Sequence, residues 1–306
     1  MIAVIVPTIR EEKLKEFLLA WSELFTKHNV DLYIVRDGEN PTVNGETIQE
    51  VMGEYSNLIY NFNDGVRNLG FAKAYKDGAD IFISLDDDTL PEGDTIQDHL
   101  DILNTRQPIS YMNSTDDVYM RGFPYWARQE APVMFSHGVW EGVYDFDAST
   151  QLVLGTPQPR HRKMPVPKGI LMPVCVMNVA FRREVLPYYY QAPMFKDINR
   201  FADIFSGWEV KKAIDENNWC MVTGYAKVKH NRASNPFVNL IKEAKGVSLN
   251  EEYGKDEYFK LYQNNIKLWQ QFLNYANILK KIAKTEIHIP DIMYIHRYKT
   301  EKEYKL

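Results

Sequence analysis

The stretch IFISLDDD, residues 81–88, is the strongest indication of the fold in this sequence. Its short apolar run is typical of a strand buried on both faces, and three carboxylates follow at once. Two similar runs precede it, IAVIV at residues 2–6 and LYIV at residues 32–35, and a segment with helical apolar spacing separates the first two. Alternating strands and helices predict an α/β fold, with a mostly parallel sheet flanked by helices.

The polar residues that follow these strands predict where a ligand binds. Ligands of open parallel sheets bind beyond the carboxyl ends of the strands. Candidate nucleotide contacts stand at these ends or just ahead of the helix that leads to residues 81–85: Pro7, Thr8, Arg10, Asp37, Arg67, Asp86 and Asp87. Neither GxGxxG nor GxxxxGK[ST] occurs at these turns, which argues against a dinucleotide fingerprint and a P-loop.

A DxD pair, Asp86 and Asp88, predicts a site for a divalent metal. Side chains alternate along an extended strand, so these two carboxylates point to the same side. Carboxylate oxygens suit Mg²⁺ or Mn²⁺, the ions that bridge diphosphate oxygens. His230 ends a later apolar stretch and is the candidate for a further metal ligand. An acidic turn or a helix N-cap is the structural alternative for the aspartates.

Asp37 has two interpretations. Its carboxylate could accept a hydrogen bond from a uracil N3–H, or it could be a turn aspartate before Gly38. The haloacid-dehalogenase phosphatases also place DxDx[TV] after an apolar strand. Here Thr89 puts the hydroxyl one position too early, and two strand units precede the motif, so a phosphatase is a minor alternative.

Composition excludes several classes of protein. The chain has 306 residues, a formal net charge of -5, 45% hydrophobic residues and two cysteines. This composition indicates a globular protein without a disulfide framework. The sequence shows no basic patch, so we expect no nucleic-acid binding. No stretch reaches the roughly 18 apolar residues of a membrane span. We therefore expect a cytoplasmic protein with one large domain at residues 1–248 and a helical extension at residues 249–306.

The end of the chain predicts a long helix. Apolar side chains recur at helical spacing from residue 258 to residue 279. Four aromatic members, Tyr258, Tyr262, Trp269 and Phe272, favour a surface for a homo-oligomer, with core packing as the alternative. Residues 284–306 show no clear period. In the middle of the chain, residues 105–193 are dense in Pro, Tyr, Trp and Gly and predict loops packed over the scaffold.

One segment gives a specific resemblance. MRGFPYWAR, residues 120–128, resembles the RGFPFSLR segment of the reversibly glycosylated polypeptides, glycosyltransferase family 75. Further matches follow in the same order: HGVW at 137–140, DFDASTQL at 145–152, PKG at 167–169, MNVAF at 177–181, SGW at 206–208 and ASNPFVNL at 233–240. With VPTIR at residues 6–10 and the three aspartates, the resemblance covers roughly residues 2–246.

The resemblance implies a GT-A-like, Rossmann-like fold and a UDP-sugar substrate. It implies reversible interconversion of UDP-L-arabinopyranose and UDP-L-arabinofuranose, with a divalent metal and self-glycosylation from UDP-sugars. Ala202 replaces the first residue of the family's Asp-Asp pair, and this loss of a carboxylate could change the sugar. A metal-dependent transferase with an external acceptor and a non-catalytic UDP-sugar-binding subunit are the alternative functions.

The resemblance also implies roles for two arginines. Arg121 matches the family's glycosylated arginine, and Arg128 matches its second arginine. If Arg121 attacks the anomeric carbon, a carboxylate must take its proton, and the candidates from matching segments are Asp145, Asp147 and Asp203. Arg128 then suits a clamp on the leaving diphosphate. Because a guanidinium stays protonated, Arg121 is equally well interpreted as a bidentate diphosphate ligand.

Overall fold

The computed structural model describes residues 1–306 except 114, 116, 117, 156, 158, 192–199, 231–234, 252–256 and 285–306. The strands are β1 (Ile2–Thr8), β2 (Val30–Arg36), β3 (Thr42–Val43), β4 (Glu46–Thr47), β5 (Ile81–Leu85), β6 (Thr89–Pro91), β7 (Arg106–Pro108), β8 (Glu130–Gly142), β9 (Met164–Val166), β10 (Asn178–Arg182) and β11 (Cys220–His230). The helices are α1 (Glu11–Lys27), α2 (Ile48–Met52), α3 (Arg67–Asp77), α4 (Thr95–Leu103), α5 (Ala148–Leu154), α6 (Ala202–Glu216), α7 (Pro236–Glu251) and α8 (Glu257–Lys284).

The strands form one mixed sheet in the order β4-β3-β2-β1-β5-β10-β8-β11-β6. Strand β1 pairs in parallel with β2 and β5, and β8 pairs in parallel with β11. Strand β10 joins the two parallel parts, antiparallel to both β5 and β8. The three strands predicted from the apolar runs correspond to β1, β2 and β5, so the predicted α/β architecture is confirmed.

Helices cover both faces of the sheet because alternate residues of β1 face two separate cores. Ala3 and Ile5 belong to one apolar cluster with residues of α3, and Val4 and Val6 belong to another with residues of α1. Helix α3 approaches β1 closely at Gly70, where an added Cβ would lie 2.6 Å from a methyl carbon of Ile5. This close packing brings the first residue of α3 to the carboxyl ends of the strands.

The prediction of loops over residues 105–193 is wrong for a long part of that stretch. Strand β8 has 13 residues, and residues 133–139 within it are all buried. A strand buried on both faces needs no alternation of polar and apolar residues, so the period of two on which the prediction relied is absent. Strand β10 also falls within the stretch.

The predicted C-terminal helix is α8, and it packs on the chain's own core. Tyr262, Trp269 and Phe272 are at most 3% exposed, and the Trp269 indole donates to the carbonyl of Leu186 at 2.9 Å. These three rings therefore pack in the chain's own core, which is the alternative that the sequence left open, and a homo-oligomer stays a prediction. The side chain of Tyr258 and residues 285–306 lie outside the described residues.

Helix α7 runs across the boundary that the sequence predicts between residues 248 and 249. The division into a large domain and a helical extension stays a prediction. Across the described residues, no helix has the length and apolarity needed to cross a membrane.

Candidate active site

A cleft of about 540 Å³ lies at the carboxyl ends of β1, β2 and β5. Its volume is in the range of pockets that hold small organic ligands. Ten of the predicted site residues line it: Pro7, Thr8, Arg10, Asp37, Arg67, Asp86, Asp87, Asp145, Asp203 and His230. The structure thus brings together side chains that are up to 223 positions apart in the sequence, from Pro7 to His230.

The three consecutive aspartates have different surroundings. Asp87 is 5% exposed and accepts a hydrogen bond of 2.6 Å from the Thr8 hydroxyl. Arg10 forms an ion pair with Asp87 and reaches Asp88 at 3.1 Å. Asp87 therefore holds the loop after β1 against the loop after β5, and Arg10 is already neutralised by carboxylates.

Asp86 is held by Arg67, the first residue of α3. The Arg67 guanidinium is 3% exposed and forms an ion pair with Asp86. It also donates to the Ser84 hydroxyl at 2.9 Å and to the Leu85 carbonyl at 3.2 Å. Arg67 therefore fixes the strand end and the orientation of Asp86.

Asp88 and His230 form the pair of groups best suited to a metal ion. The His230 Nδ1 lies 2.8 Å from the carbonyl of Val143, which can only accept, so Nδ1 carries the hydrogen. Its Nε2 then turns a lone pair towards Asp88 Oδ1, 3.7 Å away. Two acceptors that face each other at this distance suit a cation between them.

This pair fits a metal that is completed by a ligand. Among the described residues, no three His, Cys, Asp or Glu side chains form a ready ligand set. Mg²⁺ and Mn²⁺ at nucleotide sites commonly take one or two protein ligands and complete their coordination with phosphate oxygens and water. Asp88 and His230 supply such a partial set, and the Val143 carbonyl orients the imidazole.

Three further carboxylates crowd the cleft. Burial raises the pKa of Asp203 well above its usual range, repulsion from Asp64 and Asp145 adds to the effect, and two backbone amides oppose it. Burial likewise raises the pKa of Asp64, against the attraction of Arg67. A carboxyl group whose pKa is raised keeps its proton to a higher pH than usual, which is a property of many catalytic acids and bases. Sequence reasoning missed Asp64, whose Asn-Asp-Gly context is typical of an ordinary turn.

Two cations from other elements also line the cleft. Arg200 Nε donates to Glu243 Oε1 at 2.9 Å, and Glu243 Oε2 accepts from the amide of Ala148 at 2.7 Å. Lys242, the neighbour of Glu243 on α7, forms no ion pair within the described part of the chain. Sequence reasoning missed both cations, although Lys242 lies only two positions after the matched segment ASNPFVNL.

Comparison with known proteins gives the family. The family model described as Reversibly glycosylated polypeptide matches residues 1–288. The chain belongs to the reversibly glycosylated polypeptide family. It is 32% identical over 285 residues to the probable UDP-arabinopyranose mutase 4 of Arabidopsis thaliana. It is 33% identical over 286 residues to UDP-arabinopyranose mutase 1 of Oryza sativa subsp. japonica. Each alignment covers 81% of this chain and 75% of the relative.

The resemblance of this sequence to the reversibly glycosylated polypeptides is thereby confirmed. Among solved structures, the chain is similar to the catalytic domain of Drosophila β1,4-galactosyltransferase 7. That match has 14% identity and a TM-score of 0.38, and it covers 78% of this chain and 72% of the other. The match is too distant to bear on the activity.

One candidate proton acceptor from the segments shared with the reversibly glycosylated polypeptides lies outside the cleft. Asp147 is the N-cap of α5 and accepts from the Thr150 amide at 2.9 Å and from the Thr150 hydroxyl at 2.6 Å. Capping satisfies a backbone amide at the start of the helix. This contact explains the presence of Asp147, and a catalytic role for it stays a prediction.

The arginine segment that marks the reversibly glycosylated polypeptides lies at the other end of β8. Val143, directly after β8, lines the cleft, whereas the Tyr119 hydroxyl donates to Glu130, the first residue of β8, at 2.8 Å. An extended strand rises about 3.3 Å per residue, so β8 spans up to roughly 40 Å. Arg121 and Arg128 do not line the cleft. The structure therefore does not bring them together with the carboxylates, and their predicted roles stay predictions.

Proposed function

We propose that this chain is a UDP-sugar mutase that interconverts UDP-L-arabinopyranose and UDP-L-arabinofuranose. The observation that carries the proposal is the cleft, which is lined by His230 and by three close carboxylates. Asp88 does not line the cleft itself, but its Oδ1 lies 3.7 Å from His230 Nε2. The cleft occurs in a family member whose relatives are named UDP-arabinopyranose mutases. A nucleoside diphosphate needs the metal that Asp88 and His230 would hold. A change of ring size needs proton donors and acceptors such as the three carboxylates.

The diphosphate end of the substrate would lie between the strand ends and α7. Asp88 and His230 would hold Mg²⁺ or Mn²⁺, and the bound ion supplies positive charge to the diphosphate. Lys242 would bind the diphosphate from α7, and Arg200 would add a second charge. These two residues take the place of Arg128 in the predicted clamp, because Arg128 lies outside the cleft.

The sugar end would contact Asp64, Asp145 and Asp203. In the change of ring size, the bond from C1 to the diphosphate breaks, and the 4-hydroxyl loses a proton as its oxygen bonds to C1. The bond from C1 to the ring oxygen then breaks as that oxygen gains a proton. The returning diphosphate then rebuilds the original bond. A protonated Asp203 suits the donor, and an ionised neighbour suits the acceptor, because burial and mutual repulsion favour one shared proton among them.

The position of Arg121 supports a second function. Arg121 is exposed, and its segment is anchored near the start of β8. It can therefore receive a sugar only from the cleft of another chain, and the cleft of its own chain stays open to an external acceptor. Transfer from a UDP-sugar to a protein, a glycan or a small molecule is the alternative activity.

Incubation of the chain with UDP-arabinopyranose and Mn²⁺, followed by chromatography of the nucleotide sugars, tests the proposal. We expect UDP-arabinofuranose, and we expect none from Asp203→Asn, which retains the shape of the side chain. If the unmodified chain forms no furanose, the mutase function is wrong. Labelled sugar on an added acceptor would instead support the transferase, and UDP binding without turnover would indicate a binding subunit.

A further inference from the structure

Phe62 combines two features that do not stabilise the fold, a left-handed backbone conformation and an exposed aromatic side chain. Its backbone has φ of 56°, in the left-handed region that bulky side chains rarely adopt. The residue lines the cleft and is 59% exposed. The chain therefore holds an aromatic ring in a strained conformation without burying it. Such an outlier in a cleft points to a role in ligand contact.

The loop around Phe62 is tied to the end of β2. Asp37 Oδ1 accepts from the Phe62 amide at 2.9 Å and from the Gly38 amide at 2.8 Å. Asn61 donates to the Gly38 carbonyl at 2.9 Å, and Asn63 donates to the Asn61 carbonyl at 2.8 Å. Side chains on both sides of Phe62 thus fix its backbone beside Asp37. The position of Phe62 is therefore held by specific hydrogen bonds.

We propose that the Phe62 ring is the platform on which the base of the nucleotide stacks, with the Asp37 carboxylate at the edge of that base. An exposed aromatic face offers stacking to a planar base, and Asp37 can accept the N3–H of a uracil. The inference rests on the proposed function, because it assigns the base end of the same UDP-sugar site.

Substitution of Phe62 separates this role from a structural one. Phe62→Asn and Phe62→Gly remove the ring and supply residues that adopt the left-handed conformation readily. Both should keep or raise the melting temperature, and both should weaken nucleotide binding. A ring needed only for folding would give the opposite change in stability. Phe62→Tyr keeps an aromatic face and should bind like the unmodified chain.

Calorimetry with Mn²⁺ provides the measurement, with UDP and inorganic diphosphate as the two ligands. We expect Phe62→Asn to raise the Kd for UDP about tenfold, within the range of base stacking on an aromatic ring. The Kd for diphosphate should change less than about twofold. Phe237→Ala is the matched control, since Phe237 is 68% exposed on α7 and does not line the cleft.

Three results would overturn the inference: a Kd for UDP in Phe62→Asn within about twofold of the unmodified chain, an equal rise for diphosphate, or no UDP binding by the unmodified chain. Failure of the proposed function looks different. A chain that binds UDP through Phe62 but forms no furanose from UDP-arabinopyranose keeps the base platform and loses the mutase activity.

Discussion

The two ends of strand β8 carry surfaces of opposite character. After Gly142 the chain enters a cleft where carboxylates with raised pKa values lie close to Arg200 and Lys242. Before Glu130 it forms an aromatic surface, with Tyr125 84% exposed and Trp126 69% exposed. Both regions match the same family. Sequence similarity therefore identified two parts of one chain that resemble the family, without showing that a whole strand separates them.

The two regions have different roles in the proposed chemistry. Groups that hold a metal and a diphosphate must lie close to each other, and His230, Arg200 and Lys242 line one cleft, with Asp88 3.7 Å from His230. Arg128 instead stacks over the rings of Tyr119 and Tyr125, at 4.9 and 4.0 Å from their centroids. We infer that Arg128 organises the aromatic surface, and that Arg121 acts towards another molecule.

The largest expected effect is at the metal pair. Asp88→Asn and His230→Ala should each weaken Mn²⁺-dependent UDP binding by at least about a hundredfold, because losing a direct ligand should cost no less than the roughly 10- to 100-fold of losing a supporting partner. Asp86→Asn should also impair binding. Asp101→Asn, on the exposed side of α4, is the control for the same chemical change. If calorimetry shows unchanged Mn²⁺ and UDP binding in Asp88→Asn, the assignment of this strand end is wrong.

Lys242 should give the next largest effect. Lys242→Gln removes one charge that would contact the diphosphate, so we expect the Kd for both UDP and inorganic diphosphate to rise about tenfold. Lys267→Gln removes a charge from the exposed side of α8 and should have no effect. Equal Kd values for Lys242→Gln and Lys267→Gln would place the diphosphate elsewhere in the cleft.

Asp203 gives a prediction about pH. Its pKa in the folded protein is raised, so the ionised form is disfavoured there and the folded state loses stability as the pH rises above the usual 3.8. Asparagine carries no such penalty. Without ligand, Asp203→Asn should melt roughly 2 °C or more above the unmodified chain at pH 8, and at the same temperature at pH 3. A lower melting temperature at pH 8 would show that the carboxylate stabilises the fold.

The smallest expected effect is at the far end of β8. Arg121→Ala should change the Kd for UDP by less than about twofold, and the free energy of unfolding by no more than about 0.5 kcal/mol, because the side chain is exposed. A mixture of Arg121→Ala with Asp88→Asn tests transfer between chains. Labelled UDP-sugar should mark only the Asp88→Asn chain. A large loss of UDP binding in Arg121→Ala would show that this segment contacts the nucleotide, and would contradict the separation of the two ends of β8.

The local patterns explain what the sequence could predict. A buried strand followed directly by carboxylates is readable because the residues are adjacent, and the topology of parallel strands then places Thr8, Asp37 and Asp86 at one edge. Asp64, Arg200 and Lys242 come to the cleft through packing, and each looks alone like an ordinary polar surface residue. The distance to Arg121 was hidden for a similar reason, because β8 is buried on both faces and shows no strand period.

A crystal structure of the chain with UDP and Mn²⁺ is the most direct test of the claim that the nucleotide binds in the cleft and that Arg121 lies away from it. We expect the diphosphate between the pair Asp88 and His230 and the side chain of Lys242, and the uracil against Phe62. We expect Arg121 of the same chain at the far end of β8. A nucleotide bound between Arg121 and Arg128, or one in the cleft with Arg121 of the same chain against its sugar, would contradict it.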